Sequence, residues 1–138
     1  MKLRVKKRDL QEIVNHCRRE YPYEACGILA GRKGMVEKVY PLKNVSKTPQ
    51  TCYFVKPEEQ WKVFQEMRKL NLEFVGVYHS HINASASPSA RDIKLAFYPE
   101  ASYLIISLTG GEVAEIKSFK IRGKKFSEER LEIVKGNN

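Results

Sequence analysis

The chain has 138 residues, enough for one domain around one core and too few for two ordinary domains. Hydrophobic residues are 42% and charged residues 30%, which excludes a disordered chain, and no apolar run approaches the roughly 18–20 residues of a membrane-spanning helix. The net charge of +9 favours acidic partners; the basic residues are spread along the chain without interleaved stacking aromatics, so solubility explains the excess more simply than a nucleic-acid function.

Lys2, Arg4, Lys6, Lys7 and Arg8 open the chain with no apolar stretch behind them, so no signal peptide is read and the cytoplasm is the expected compartment. Residues 3–5 suit a short edge strand. Over 8–20, Leu10, Ile13, Val14 and Cys17 recur at helical spacing, and Tyr21-Pro22 ends that helix. Residues 25–31 (ACGILAG) form a short buried strand, which turns through 31–34 into a second strand over 35–40. A loop over 41–50 leads to a strand-like 51–55. Pro57 then opens a helix with Glu58 and Glu59 in its first turn and Trp61, Phe64, Met67 and Leu70 as its buried stripe.

Residues 74–78 (FVGVY) read as a core strand running into His79-Ser80-His81, followed by a loop over 82–88. Ser89 begins another helix with Ile93, Ala96 and Phe97 inward. Residues 103–108 are a buried strand, Gly110-Gly111 a two-residue hairpin turn, 113–121 a further strand, and 124–134 a last segment beyond a turn at Gly123. The fold class is therefore α+β: a mixed β-sheet flanked by helices, in one domain over 1–138. Cys17, Cys26 and Cys52 are odd in number and contain no C-x-x-C; they read as reduced thiols, with a single disulfide as the alternative.

The chemistry concentrates in 79–92, HSHINASASPSARD. Two of three histidines and one of two aspartates lie in these fourteen residues. On a strand, His79 and His81 project to one face. Asp92 opens the next helix, and the intervening loop is long enough to bring its carboxylate to the same point. Two nitrogens and one oxygen on Zn²⁺ leave a fourth position for water, the arrangement hydrolytic zinc needs. His-x-His alone is weak evidence, and Ser89-x-x-Asp92 alone is ordinary helix capping. The combination H-x-H-x7-S-x2-D, however, arises by chance in roughly one of 10⁴ such chains. Among fourteen glutamates, Glu24 stands apart because it directly precedes a core strand; it either caps a backbone group there or serves as an acid/base.

Glu24 with Cys26-Gly27-x-Leu29-x-Gly31, His79-Ser80-His81 and Ser89-x-x-Asp92 together resemble the JAMM/MPN+ metalloprotease family, in its compact prokaryotic form. Tyr53-x-Val55 and Gly76-x-Tyr78 extend the likeness over most of the chain. The resemblance implies a curved mixed sheet similar to cytidine deaminases. It implies one zinc held by His79, His81 and Asp92, with Glu24 as general acid/base and Ser89 as oxyanion donor. It implies hydrolysis after the C-terminal glycine of a ubiquitin-like modifier or sulfur-carrier protein, and leaves a homodimer open.

One departure is Ile82, where many members carry proline, within a loop of small residues. The basic surface would steer an acidic carrier, and an exposed edge at 51–55 would take its tail as an added strand. The competing readings are a metal-free scaffold or binding module of the same fold, a nucleic-acid binder, and a zinc deaminase. The last requires H-x-E and P-C-x-x-C, which the sequence lacks.

Overall fold

A computed structural model describes residues 1–135. The elements in chain order are β1 (Lys2–Lys6), α1 (Lys7–Glu20), β2 (Cys26–Arg32), β3 (Met35–Leu42), α2 (Pro57–Lys69), β4 (Glu73–Ile82), α3 (Ala90–Lys94), β5 (Ser102–Thr109), β6 (Glu112–Arg122) and β7 (Lys125–Val134). The sheet runs β1-β3-β2-β4-β5-β6-β7 and closes on itself through a parallel β1–β7 pairing. It is mixed: β1–β3, β4–β5 and the closing β1–β7 pair are parallel, and the remaining neighbours are antiparallel. Among the described residues, no helix is long and apolar enough to cross a membrane.

Curvature follows from what each face buries. Ile13 and Cys17 of α1 share one cluster with Leu3, Val5, Leu29, Val36, Tyr78, Leu104 and Ile106, so the sheet curls around α1. Val63 and Met67 of α2 cover Ile28, Ala30 and Tyr40 on the opposite face. In β5, Leu104 and Ile106 turn toward α1 while Ile105 turns away. A strand buried on both sides needs no polar alternation, which explains its unbroken apolar run. Gly110 and Gly111 both hold positive φ, as a two-residue hairpin turn requires.

Several expectations are corrected. Residues 3–5 are not an edge, because β1 pairs with β3 on one side and β7 on the other. The strand expected to end at 40 continues through Pro41 to Leu42. In α2 the buried stripe is Val63, Met67 and part of Phe64, while Trp61 is 63% exposed and Leu70 47%. Three-residue steps drift by about 60° each around a helix, so the two ends of the 61–70 series lie on opposite flanks. The helix after Ser89 is a single short turn. Ile93 and Ala96 pack inward, but Phe97 lies beyond it and is 71% exposed. Tyr98-Pro99 follows at once, and the residue before proline resists helical backbone.

Residues 51–55 are not a strand. The amide oxygen of Asn44 accepts from the Phe54 N–H at 3.1 Å, and the Phe54 carbonyl accepts from the Val45 N–H at 2.8 Å. At Phe54 both backbone groups are already engaged, so the expected free edge for an added strand does not exist there. The three cysteines are free thiols, and burial pushes Cys17 and Cys26 up to about 12.

Candidate metal centre

β4 carries His79 and His81 two residues apart, and both rings leave its α2-facing side. Their neighbour in parity, Val77, packs with the α2 cluster, whereas Tyr78 packs with the α1 cluster. Ser89 caps α3. Its Oγ accepts from the Asp92 N–H at 3.0 Å, and its own N–H donates to Asp92 Oδ2 at 2.9 Å. That capping box aims the Asp92 carboxylate back at β4. His79 Nε2, His81 Nε2 and Asp92 Oδ2 lie 3.0, 3.0 and 3.2 Å from one another. The structure therefore brings the three sequence-predicted ligands to one point, and Ser89 both caps the helix and borders the cluster.

The donor set fits a zinc ion. Bonds of about 2.0–2.1 Å in a tetrahedron place neighbouring ligand atoms roughly 3.3 Å apart, close to the separations observed. His81 Nδ1 donates to the Ser85 carbonyl at 2.8 Å, which leaves the lone pair on Nε2, the atom facing the cluster. The loop supplying that carbonyl is fixed. Ser107 Oγ donates to the Ala84 carbonyl, the Ala86 N–H donates to Glu115 Oε1, and Ala86 is buried. Ile82, in place of proline, ends β4 and packs into the α1 cluster. Burial alone would raise the Asp92 carboxyl. The bonds from His79, His81 and the Ser89 N–H overcome it and hold Asp92 well below the usual carboxylate range. Burial alone would lower His81, but its bonds to Asp92 and the Ser85 carbonyl raise it above its ordinary value.

Glu24 reaches the cluster by register. Cys26 pairs with His79 across β2–β4. The pairing continues as Ser80 donates its N–H to the Ala25 carbonyl at 3.0 Å and accepts from the Ala25 N–H at Oγ, 2.8 Å. The next step sets Glu24 beside His81. Glu24 as a whole is only 6% exposed. Burial, opposed by His81 and Arg91 and aided by Asp92, raises the carboxyl to about 8.

This shift has a stability consequence. A carboxyl raised in the fold binds its proton more tightly there than in the unfolded chain, where it titrates near ~4.3. Its contribution is thus full below that value and is lost as pH rises toward 8. In chelator-treated protein, Glu24→Gln should raise Tm at pH 8 by about 4 °C or more and far less at pH 5. Melting curves at both pH values check this; an equal effect at both would remove the buried charge as its cause.

Three further groups have roles at the site that the sequence does not assign. Asn44 Nδ2 donates to the carbonyls of Glu24 at 2.9 Å and Cys52 at 3.2 Å, while its oxygen holds Phe54, so one amide ties the Glu24 backbone to the segment across the cleft. Tyr53 lays its ring against His79, with centroids 4.9 Å apart. Ser80 seats the mouth of β2. In the sequence, Asn44 stands within a loop rich in turn residues, Tyr53 before Pro57 and Ser80 between the two histidines; none of these positions names a partner.

Fold and cluster together define a class: a small α+β domain with a candidate mononuclear metal centre at the end of its central strands. The profile for prokaryotic homologs of the JAB domain matches residues 6–122. A CysO-cysteine peptidase of Mycobacterium tuberculosis is 37% identical over 124 residues, 88% of this chain and 84% of that protein. A probable TtuB-protein conjugate cleaving protease of Thermus thermophilus is 39% identical over 101 residues, 73% of this chain and 67% of that protein. The solution structure of a protein from Desulfitobacterium hafniense, 38% identical, superposes with a TM-score of 0.86 over 99% of this chain and 94% of that one. The chain belongs to the prokaryotic JAB-domain family.

Proposed function

We propose that this protein is a zinc-dependent peptidase that hydrolyses the bond after the C-terminal glycine of a ubiquitin-like modifier or sulfur-carrier protein. The observation that carries the chemistry is the convergence of His79 Nε2, His81 Nε2 and Asp92 Oδ2 beside the buried Glu24. The substrate class rests on the relatives named as a CysO-cysteine peptidase and a probable TtuB-protein conjugate cleaving protease.

A zinc ion held by these three side chains would supply Lewis acidity and make water a competent nucleophile near neutral pH. Glu24 takes the proton of the attacking water at its carboxylate and passes it to the leaving amine. A carboxyl poised near 8 by burial suits both halves of that transfer, and a bound cation would shift it downward toward the base form. Ser89 Oγ accepts from the Asp92 N–H and keeps its hydroxyl hydrogen to donate to the carbonyl oxygen as it gains charge. Asp92 and His81 hold the donor geometry through the capping box and the Ser85 carbonyl.

The tail approaches through an apolar groove of about 290 Å³ whose lining includes Ile28, Tyr53, Phe54, Val77, Leu95 and Phe97. Tyr53 and Leu95 also line the small cleft at Asp92, so the groove runs up to the cluster. A groove with this apolar lining that meets the small cleft at Asp92 suits an extended chain ending in glycine.

Incubation with carrier proteins extended past their terminal glycine, read by mass, tests this. The expected result is release of the intact carrier, abolished by chelation and restored by zinc. Intact conjugates throughout, with zinc bound, would favour the scaffold reading.

A further inference from the structure

The two histidines are held differently. The His81 ring is fixed by a hydrogen bond from Nδ1 to the Ser85 carbonyl. His79 Nδ1 is buried with no hydrogen-bond partner among the described residues. Yet His79 is 2% exposed, and its Nε2 must point at the same spot as that of His81. Some contact other than a hydrogen bond at Nδ1 has to set the plane of this ring. The aromatic ring of Tyr53 lies against it, with centroids 4.9 Å apart and planes inclined by 33°, a tilted ring-on-ring contact. The His81 ring, itself part of the cluster, also lies near it, with centroids 4.9 Å apart, and Cys26 and Ile105 flank His79 on the neighbouring strands.

Tyr53 is in turn held from both sides. The carbonyl of Cys52 accepts from Asn44 Nδ2, and the N–H of Phe54 donates to Asn44 Oδ1. The peptide groups flanking Tyr53 are therefore clamped by one side-chain amide, whose Nδ2 also donates to the Glu24 carbonyl. This clamp gives an irregular segment the rigidity that a positioning contact needs.

We infer that Tyr53 is the positioning residue of His79, its ring face taking the place of the hydrogen bond that the imidazole lacks at Nδ1. The inference rests on the metal-centre reading given above and deepens it. A group that orients a metal ligand without touching the metal affects affinity by about 10–100-fold. Stacking requires a flat face and not a hydroxyl. Tyr53→Phe should therefore keep the function, and Tyr53→Leu, apolar but not planar, should lose it.

The test measures zinc affinity by competition with a chromophoric chelator for the wild type, Tyr53→Phe and Tyr53→Leu, and records the histidine ring ¹⁵N signals of each metal-free protein. Tyr53→Phe should match the wild type within about threefold, and Tyr53→Leu should bind zinc at least about tenfold more weakly. In the metal-free state the His79 signals should broaden or average in Tyr53→Leu, while those of His81 stay in place and report an intact fold. If Tyr53→Leu does not fold, Tyr53→Met serves as the non-planar variant. Equal affinity and unchanged His79 signals in the non-planar variant would overturn the inference, as would a loss in Tyr53→Phe as large as that in Tyr53→Leu. A wild type that takes up no zinc would instead defeat the metal-centre reading, and the ring signals would still decide whether Tyr53 orients His79.

Discussion

Glu24→Gln is expected to retain zinc at wild-type affinity and to lower the cleavage rate by roughly 10³-fold, the scale of a lost general acid/base. Glutamine preserves the volume and removes the only proton acceptor that register places beside His81. Glu24 is opposite the continuation of the Cys26–His79 pairing, and its backbone is pinned by Asn44 and by its own N–H donating to the Pro49 carbonyl at 2.7 Å. The substitution also removes a carboxylate that burial disfavours, so no loss of stability accompanies it. Rate and zinc content measured on the same preparation separate chemistry from metal binding. Near-normal cleavage by the variant would remove Glu24 from the mechanism.

Asp92→Ala is expected to lose zinc and activity together. Apparent binding energies of structural zinc sites are about 10–16 kcal/mol, so one of three protein ligands accounts for on the order of 4 kcal/mol, or roughly 10³ in affinity. The Asp92 carboxylate alone bridges the rings of β4 and the start of α3. The Ser89 Oγ bond to the Asp92 N–H survives the substitution, so the loop keeps half of its capping box. The expected pattern is therefore a folded protein without metal, the converse of Glu24→Gln. Titration with zinc under a competing chelator, beside a circular dichroism melt, distinguishes it from simple unfolding. Unchanged zinc affinity in Asp92→Ala would take the carboxylate out of the ligand set.

How much of this was legible in the sequence depends on how local each feature is. His79 and His81 could be placed on one face because the strand period fixes parity within two residues. Asp92 could be brought to the same point because the intervening loop is long enough to fold back, while Ser89-x-x-Asp92 by itself signalled only ordinary helix capping. Residues 103–108 were recognisable as a buried strand from composition alone; that both faces are covered is seen in the fold. What escaped was non-local. The β1–β7 pairing joins the two ends of the described chain, and no window of sequence reports it. Glu24 was singled out by its position before β2, but its place beside His81 comes from a β2–β4 register that shifts at Leu29/Ala30. Residues 51–55 have strand composition, yet Asn44, seven or more residues earlier, captures their backbone and leaves them irregular. Tyr53 was read as part of a strand; its stacking on His79 depends on that same capture.

The most direct measurement is zinc content together with X-ray absorption of the purified protein. One zinc per chain should be found, bound by two imidazole nitrogens, one carboxylate oxygen and one further light atom from solvent. An absence of zinc after reconstitution, or an ion whose shell lacks the two imidazoles, would contradict the convergence of His79, His81 and Asp92 on a single hydrolytic metal.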